Sequence, residues 1–391
     1  MSPSDVTRWG EEVPPRGTRF PHLICQFFPC CSFSLFQLKF DALKTVVLHE
    51  LGAKTCDKFY VSEDCAGMST VFMACTEEFP GRDVQLVHAT EQQPWLVDLM
   101  RKAHHSQVDF DMRKRNKKAV AFSNRGDLDA HGIGFPCQSY SKSGLLEQDS
   151  DDRAKGLAKA CIKFVEEKRP RLFLLECVVG FRHSKNQKAL LKALEKAGYV
   201  TRELTVNSEH WVPQHRDRYY LLGLLSTSEA RTKMSADFQS AAVVYPNQPV
   251  PLASMPADDL VWKSLNQLQR HGKVFSRNLE KALIFASTTP GHLIWDAGSS
   301  DDRFAACHQK SPCVTKARAS THRLWMMDRE NRRACQLGTK QLAFFQGWSD
   351  SMLTLALKHG SDKNVREAIG NSMTLPVIRS LIRMMNSVPR V

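Results

Sequence analysis

Gly134-Phe135-Pro136-Cys137-Gln138-Ser139 sets a cysteine on a tight Gly/Pro turn, where a strand would give way to a loop. A thiol held there is presented to a ligand, whereas most cysteines serve as small buried apolar residues. As a thiolate it is a strong nucleophile that also leaves readily, and nearby dipoles and cations tune its pKa. Three further segments follow in order. The apolar run Arg171-Leu172-Phe173-Leu174-Leu175 ends in Glu176-Cys177-Val178. Val212-Pro213-Gln214-His215-Arg216-Asp217-Arg218 leads into the apolar run from Tyr219 to Leu225. Gly370-Asn371-Ser372-Met373-Thr374-Leu375-Pro376-Val377 lies near the C-terminus. Arg216 and Arg218 alternate, so on a strand both would point to one face. There they could bind an anionic substrate group, or simply pair with Asp217 or a nearby Glu. Asn371 and Ser372, taken alone, would be a helix cap.

The elements that must position these residues alternate along the chain. Lys58-Phe59-Tyr60-Val61-Ser62 predicts a strand, Asp64-Cys65-Ala66-Gly67-Met68-Ser69-Thr70 a small-residue turn, and a helix follows through Glu78. Val84 to Ala89 predicts a second strand and Trp95 to His104 a helix. Leu157, Cys161, Phe164 and Val165 repeat at helical spacing before the strand that ends at Glu176. Asn186 to Ala197 predicts another helix, with Gly198 as its stop. Such alternation implies a largely parallel sheet covered on both faces, with ligands beyond the carboxyl ends of its strands. The small residues from Asp64 to Thr70 let the backbone approach a nucleotide-type ligand closely. Glu91, just past the second strand, is placed either to accept hydrogen bonds from ribose hydroxyls or to stand as a solvated carboxylate at a helix start. Asp127-Leu128-Asp129-Ala130-His131-Gly132-Ile133, ahead of the cysteine turn, has few apolar side chains for a central parallel strand.

Together the four segments resemble the cytosine-C5 methyltransferase family, whose ordered motifs are a Pro-Cys-Gln loop, a Glu-Asn-Val turn, a Gln-x-Arg-x-Arg strand and a Gly-Asn-Ser/Ala segment. The resemblance covers Lys58 to Met384. It implies a Rossmann-like AdoMet-dependent methyltransferase fold, a mostly parallel α/β sheet with helices on both faces plus a smaller target-recognition domain. It also implies S-adenosyl-L-methionine (AdoMet) as cofactor and cytosine C5 in DNA as the methylated position. By this resemblance Cys137, Glu176, Arg216 and Arg218 are catalytic, and Gln138, Ser139 and Gln214 meet the substrate. Cys65, Ala66, Gly67, Met68, Ser69, Thr70, Glu91, Asp111, Pro136, Asn371 and Ser372 line the cofactor pocket. Asp111 is taken as the carboxylate facing the adenine amino group, with Asp127 as its competitor. Three positions depart from the family: Cys65 replaces Phe, Ser69 replaces the second Gly of Phe-x-Gly-x-Gly, and Cys177 replaces the Asn of Glu-Asn-Val. Cysteine lacks the amide's donor and acceptor set, so weaker support of the catalytic loop is expected.

A length of 391 residues suffices for one large α/β domain and a smaller one. Residues 1–40 are expected to be a poorly ordered extension, 41–225 a catalytic domain, 226–335 the recognition region, and 336–391 a segment returning to the catalytic domain. The net charge of +13 suits a polyanionic partner, DNA or alternatively RNA. Ser311-Pro312-Cys313-Val314-Thr315 is similar both to the Ser-Pro-x-x-Thr of DNA enzymes and to the Cys-Phe-Thr of the tRNA branch. The basic stretch from Lys310 to Arg323 lies in the same region, and another runs from Arg113 to Lys118. The 12 cysteines include no Cys-x-x-Cys pair and no His spacing typical of zinc, so no metal is expected. The interrupted apolar stretch from Leu23 to Phe40 falls short of a membrane span. A monomer in a reducing compartment is expected, the nucleus by the resemblance, with the cytoplasm or a nucleoid as alternatives. The alternative readings of function are a binding module that keeps the fold without catalysis and a tRNA cytosine-C5 methyltransferase.

Overall fold

Seven strands carry the site, and the apolar runs of the sequence account for most of them. They are β1 (Lys58–Asp64), β2 (Asp83–Thr90), β3 (Gln107–Asp109), β4 (Ala130–Gly134), β5 (Leu172–Cys177), β6 (Tyr199–Asn207) and β7 (Asp217–Leu225). The computed structural model describes residues 57–115, 128–141, 151–268, 271–287 and 290–389. Residues 1–40, Asp127 and the Lys117-Lys118 end of the first basic run therefore lie outside the described residues.

The sheet order is β3-β2-β1-β4-β5-β7-β6. β7 runs antiparallel to both neighbours, and every other pairing is parallel. This is the Rossmann-like arrangement of AdoMet-dependent methyltransferases. From β1 the chain moves outward to β2 and β3, then returns to place β4 on β1's other side. The carboxyl ends of β1 and β4 thus bound a crevice at the switch in strand order, where such sheets bind ligands. Helix Thr70–Glu78 packs under helix Leu375–Ser387, so the C-terminal segment covers one face. Ile378 and Leu381 share that core with Phe59, Val61 and Leu86. On the other face Leu157, Cys161 and Leu190 pack with Phe173, Leu175 and Leu221.

β4 forms although its sequence is poor in apolar side chains, because its polar groups are satisfied inside. Asp129 accepts from the Tyr60 N–H at 2.9 Å and from Arg171 Nη1 at 2.7 Å. His131 Nδ1 lies 2.8 Å from Ser62 Oγ. Gly132 is required by packing: a Cβ there would sit 2.5 Å from Val71 Cγ2.

A second sheet holds β8 (Trp262–Ser264), β9 (His292–Asp296), β10 (Ala306–His308), β11 (Leu324–Asp328) and β12 (Arg333–Gln336), ordered β10-β9-β11-β12-β8 and antiparallel throughout. Leu279 and Ala282 of helix Lys273–Ala286 pack on Leu293, Trp295, Trp325 and Met327. Asp296, 1 % exposed, binds both Arg318 and Arg323, at 2.9 and 2.8 Å. Lys310 pairs with Glu209 and Lys316 with Glu367. Much of the basic stretch thus holds the fold together.

Candidate active site

The cysteine turn is built from backbone ties and aromatic packing. The Phe135 N–H donates to the Glu176 carbonyl at 2.9 Å, joining the end of β4 to the end of β5. The Tyr140 N–H closes the turn on the Cys137 carbonyl at 3.1 Å, which leaves Cys137 exposed. Phe181 packs 5.0 Å from both Phe135 and Tyr140, and the Asn186 amide donates to the Tyr140 hydroxyl at 2.5 Å. At Gly180 the Tyr140 carbonyl comes within 2.2 Å of where a Cβ would sit, so only glycine fits. Cys177 is fully buried, and burial pushes its thiol well above the usual range.

Beside the turn, Glu176 Oε1 lies 3.0 Å from Arg218 Nε and 3.8 Å from Arg216 Nη2. Arg216 immediately precedes β7 and Arg218 is its second residue; both face Glu176, as alternation requires. Arg216, 4 % exposed, also donates to the carbonyls of Val314 (3.0 Å) and Ser372 (2.9 Å). Although the residue is exposed, desolvation of its sulfur by the surrounding atoms and then the charge of Glu176 push the Cys137 thiol upward, against the pull of Arg218 and Arg216.

Cys313 is a residue that the sequence reading missed. Its Sγ lies 3.6 Å from Arg216 Nη1 and 3.7 Å from Arg218 Nη2. Burial alone would raise its pKa, but Arg218, Arg216 and Arg318 outweigh that and hold the thiol below its ordinary range. Its presence beside the Gln-x-Arg-x-Arg segment depends on a bridge between Gln214 and Ser311, remote in sequence.

Several of the expected site residues have partners within the protein. Gln214 is 0 % exposed, donating to the Phe345 carbonyl at 2.6 Å and accepting from the Val314 N–H at 2.7 Å. Ser139 is buried, with its hydroxyl on Asp151. Gln138 remains exposed, its Oε1 3.4 Å from Arg153 Nη1. The carboxylate of Asp111 is taken up by Arg113 at 2.7 Å and caps the short 3-10 helix Met112–Lys114. Asp109 is the residue that ends β3, opposite Thr90, with Phe110 51 % exposed beside it.

On the cofactor side, Cys65, Gly67 and Ser69 all adopt left-handed φ, at 49°, 53° and 54°. The Gly67 N–H donates to Glu91 Oε2 at 2.8 Å, while Glu91 Oε1 accepts from Gln92 and Gln93. Nothing lies within 4 Å of a Cβ placed on Gly67, and Ser69 Oγ is buried without a partner. An open glycine cradle, an orphaned hydroxyl and a half-buried carboxylate fit a nucleoside cofactor. Ala66, Met68 and Thr70 are buried beneath; Cys65 and Pro136 are half-buried. Ser372 is buried and exposed Asn371 ends its helix, so the carbonyl of Ser372 serves Arg216. Among the described residues no group of three or more His, Cys, Asp or Glu could hold a metal, and no helix is long and apolar enough to cross a membrane.

With this geometry in place, residues 64–387 match the family model for C-5 cytosine-specific DNA methylases. The chain belongs to that family. It is 22 % identical to the type II methyltransferase M.NlaX of Neisseria lactamica, over 84 % of this chain and 96 % of that one. It is 26 % identical to the DNA-cytosine methyltransferase of Escherichia coli K12, over 39 % of this chain and 38 % of that one. Similar folds include the Entamoeba histolytica methyltransferase EhMeth, with a TM-score of 0.60 and 14 % identity over 84 % of this chain and 98 % of that one. Another is a Spodoptera frugiperda DNMT2 variant, with a TM-score of 0.56 and 15 % identity over 84 % and 100 % of the two chains. Methyl transfer to cytosine is the activity this family membership supports.

Proposed function

We propose that this C-5 cytosine methylase acts on DNA, adding Cys137 covalently to C6 of a cytosine flipped out of the stack. The observation that carries the reading is the ion pair of Glu176 with Arg218, at 3.0 Å, beside the exposed Cys137 turn. Cytosine C5 is a poor nucleophile until a thiolate adds at C6, which makes the ring enamine-like. Cys137 forms that S–C6 bond, with Arg218 and Arg216 opposing only in part the desolvation and the Glu176 charge that disfavour its thiolate. The carboxyl of Glu176 faces N3, where charge develops, and Arg218 fixes its orientation. AdoMet, held at the loop from Cys65 to Ser69 with Glu91 toward the ribose, supplies when bound an electrophilic methyl group for C5. Loss of the C5 proton to a base then expels Cys137 and restores the ring. Residence beside genomic DNA, in the nucleus, belongs to the same proposal.

Incubation with AdoMet and DNA containing 5-fluorocytosine tests this, because fluorine at C5 blocks release. A stable adduct should form with the native chain and vanish in Cys137→Ala. Adduct formed only with 5-fluorocytosine-containing tRNA would transfer the chemistry to RNA. No adduct on either, with both still bound, would favour a binding module. Glu176→Gln should lower methyl transfer by about 100-fold or more while leaving DNA affinity within a few-fold. Unchanged turnover would remove Glu176 from its assigned role.

A further inference from the structure

A buried polar cluster lies under the crevice at the carboxyl ends of β1, β2 and β4, and the chemistry above makes no use of it. Asp64 is its centre. Its Oδ1 accepts from the Thr90 hydroxyl at 2.9 Å, and its Oδ2 is bound by the Arg115 guanidinium and lies 3.4 Å from His131 Nε2. The side chains of Asp64 and His131 are 0 % exposed and that of Arg115 is 11 % exposed. Arg115 lies over the Phe164 ring, 4.2 Å from its centroid, and donates to the Ala160 carbonyl at 3.4 Å. Parallel strands at this position are ordinarily apolar, and a buried ion pair is weak evidence of a gain in stability. What the cluster does is join the two walls of the crevice.

One wall is the loop after β1. The Thr90 hydroxyl gives its single proton to Asp64, so a lone pair is left to accept the Cys65 N–H at 3.2 Å. The Thr90 carbonyl holds the next N–H, that of Ala66, at 3.0 Å. Asp64 therefore sets the hydroxyl that holds Cys65 in its left-handed conformation. The other wall is the segment from Gln107 to Arg115, which carries Asp109 and exposed Phe110 and is tied to Glu91 by the Glu91 N–H on the Asp109 carbonyl at 3.0 Å. Arg115, on that wall, reaches back to Asp64.

We propose that Asp64 and Arg115 are positioning residues for the cofactor: their buried ion pair straps the adenine-side segment, residues 107–115, to the loop of residues 65–69. The inference rests on the AdoMet reading above and deepens it, since the residues that touch the cofactor depend on a pair lying beneath them. Calorimetric titration of AdoMet and of its demethylated product, beside DNA-binding measurements, tests it on the full chain. Arg115→Met and Asp64→Asn should each weaken binding of both compounds by about 10-fold or more, as small displacements of positioned groups do, with DNA affinity unchanged. Arg115→Lys should recover part of the loss, because it keeps the charge without the planar fork. The paired variant Asp64→Leu with Arg115→Met leaves no unpaired charge, so it should melt near the native temperature yet still bind AdoMet about 10-fold more weakly. Native AdoMet affinity in that folded double variant would overturn the inference. So would parallel losses of DNA and cofactor affinity, which would assign the pair to stability alone. Absence of AdoMet binding by the native chain would instead bring down the cofactor reading, and this strap with it.

Discussion

The site contains two thiols in opposite electrostatic settings. Cys137 is exposed, yet its surroundings and Glu176 hold its pKa above the ordinary value. Cys313 is less accessible but lies against two guanidiniums and is held below it. A raised thiol pKa means less thiolate at neutral pH, so reactivity climbs as pH rises through an alkaline range; a lowered one brings that climb down. Alkylation followed peptide by peptide against pH should give a midpoint for Cys137 above that of a free cysteine, about 8.5, and one for Cys313 below it. Equal midpoints would show that the charges around the two sulfurs do not differ as described.

At the level of elements, the loop from β1 into helix Thr70–Glu78 departs from the glycine-rich pattern and bears the consequence in its backbone. Ser69 has φ 54° and ψ 50°, its hydroxyl caps nothing, and that hydroxyl is buried without a partner. The left-handed conformation costs a non-glycine residue roughly 1–2 kcal/mol, and the orphaned hydroxyl adds to this. Glycine's extra freedom in the unfolded chain opposes the gain by roughly 0.5–1 kcal/mol. Ser69→Gly should therefore stabilise the cofactor-free protein by about 1 kcal/mol in urea denaturation; a lower midpoint would contradict this. The helix is capped instead by Glu63, whose Oε1 accepts the Phe72 N–H at 2.6 Å. Burial raises the Glu63 pKa from 4.5 to about 8. The folded state then keeps a proton that the unfolded chain releases, so this contribution to stability is lost as pH rises from 4.5 to about 8. Melting against pH should show that fall in the native chain and a shallower one in Glu63→Gln.

For the whole molecule, Arg216 joins three parts of the chain. Its guanidinium serves Glu176 on β5, the Val314 carbonyl between β10 and β11, and the Ser372 carbonyl just after the helix Asp362–Asn371. Arg218 instead divides its contacts among Glu176, Cys313 and its neighbour Asp217. Arg216→Met removes a donor from the buried Val314 and Ser372 carbonyls, leaving the latter only the Gln346 amide at 3.3 Å, and should lower stability by about 3 kcal/mol. Arg218→Met should lower stability less, while its methyl transfer drops by about 100-fold. Urea unfolding of the two variants checks the order, and a larger loss in Arg218→Met would reverse the assignment. The bulk positive charge is likewise redistributed by folding, since Arg318 and Arg323 are held by Asp296.

The order of motifs, the sites of β1, β2 and β5, and the exposure of Cys137 were legible in the sequence because each rests on local signals: apolar runs, a Gly/Pro turn, an acid just past a strand. β4 was harder to read, since Asp129 and His131 look unsuited to a central strand until Arg171, Tyr60 and Ser62 are brought against them. That Asp109 ends β3 opposite Thr90, while Asp111 caps the short helix Met112–Lys114, turned on pairing with β2. The burial of Gln214, the arrival of Cys313 between two arginines, and the strap from Arg115 to Asp64 all join residues far apart along the chain. Local pattern determined which residues could do chemistry. Tertiary contact alone decided which of them share a charge, because a polar side chain acquires its role from the partner that folding puts beside it.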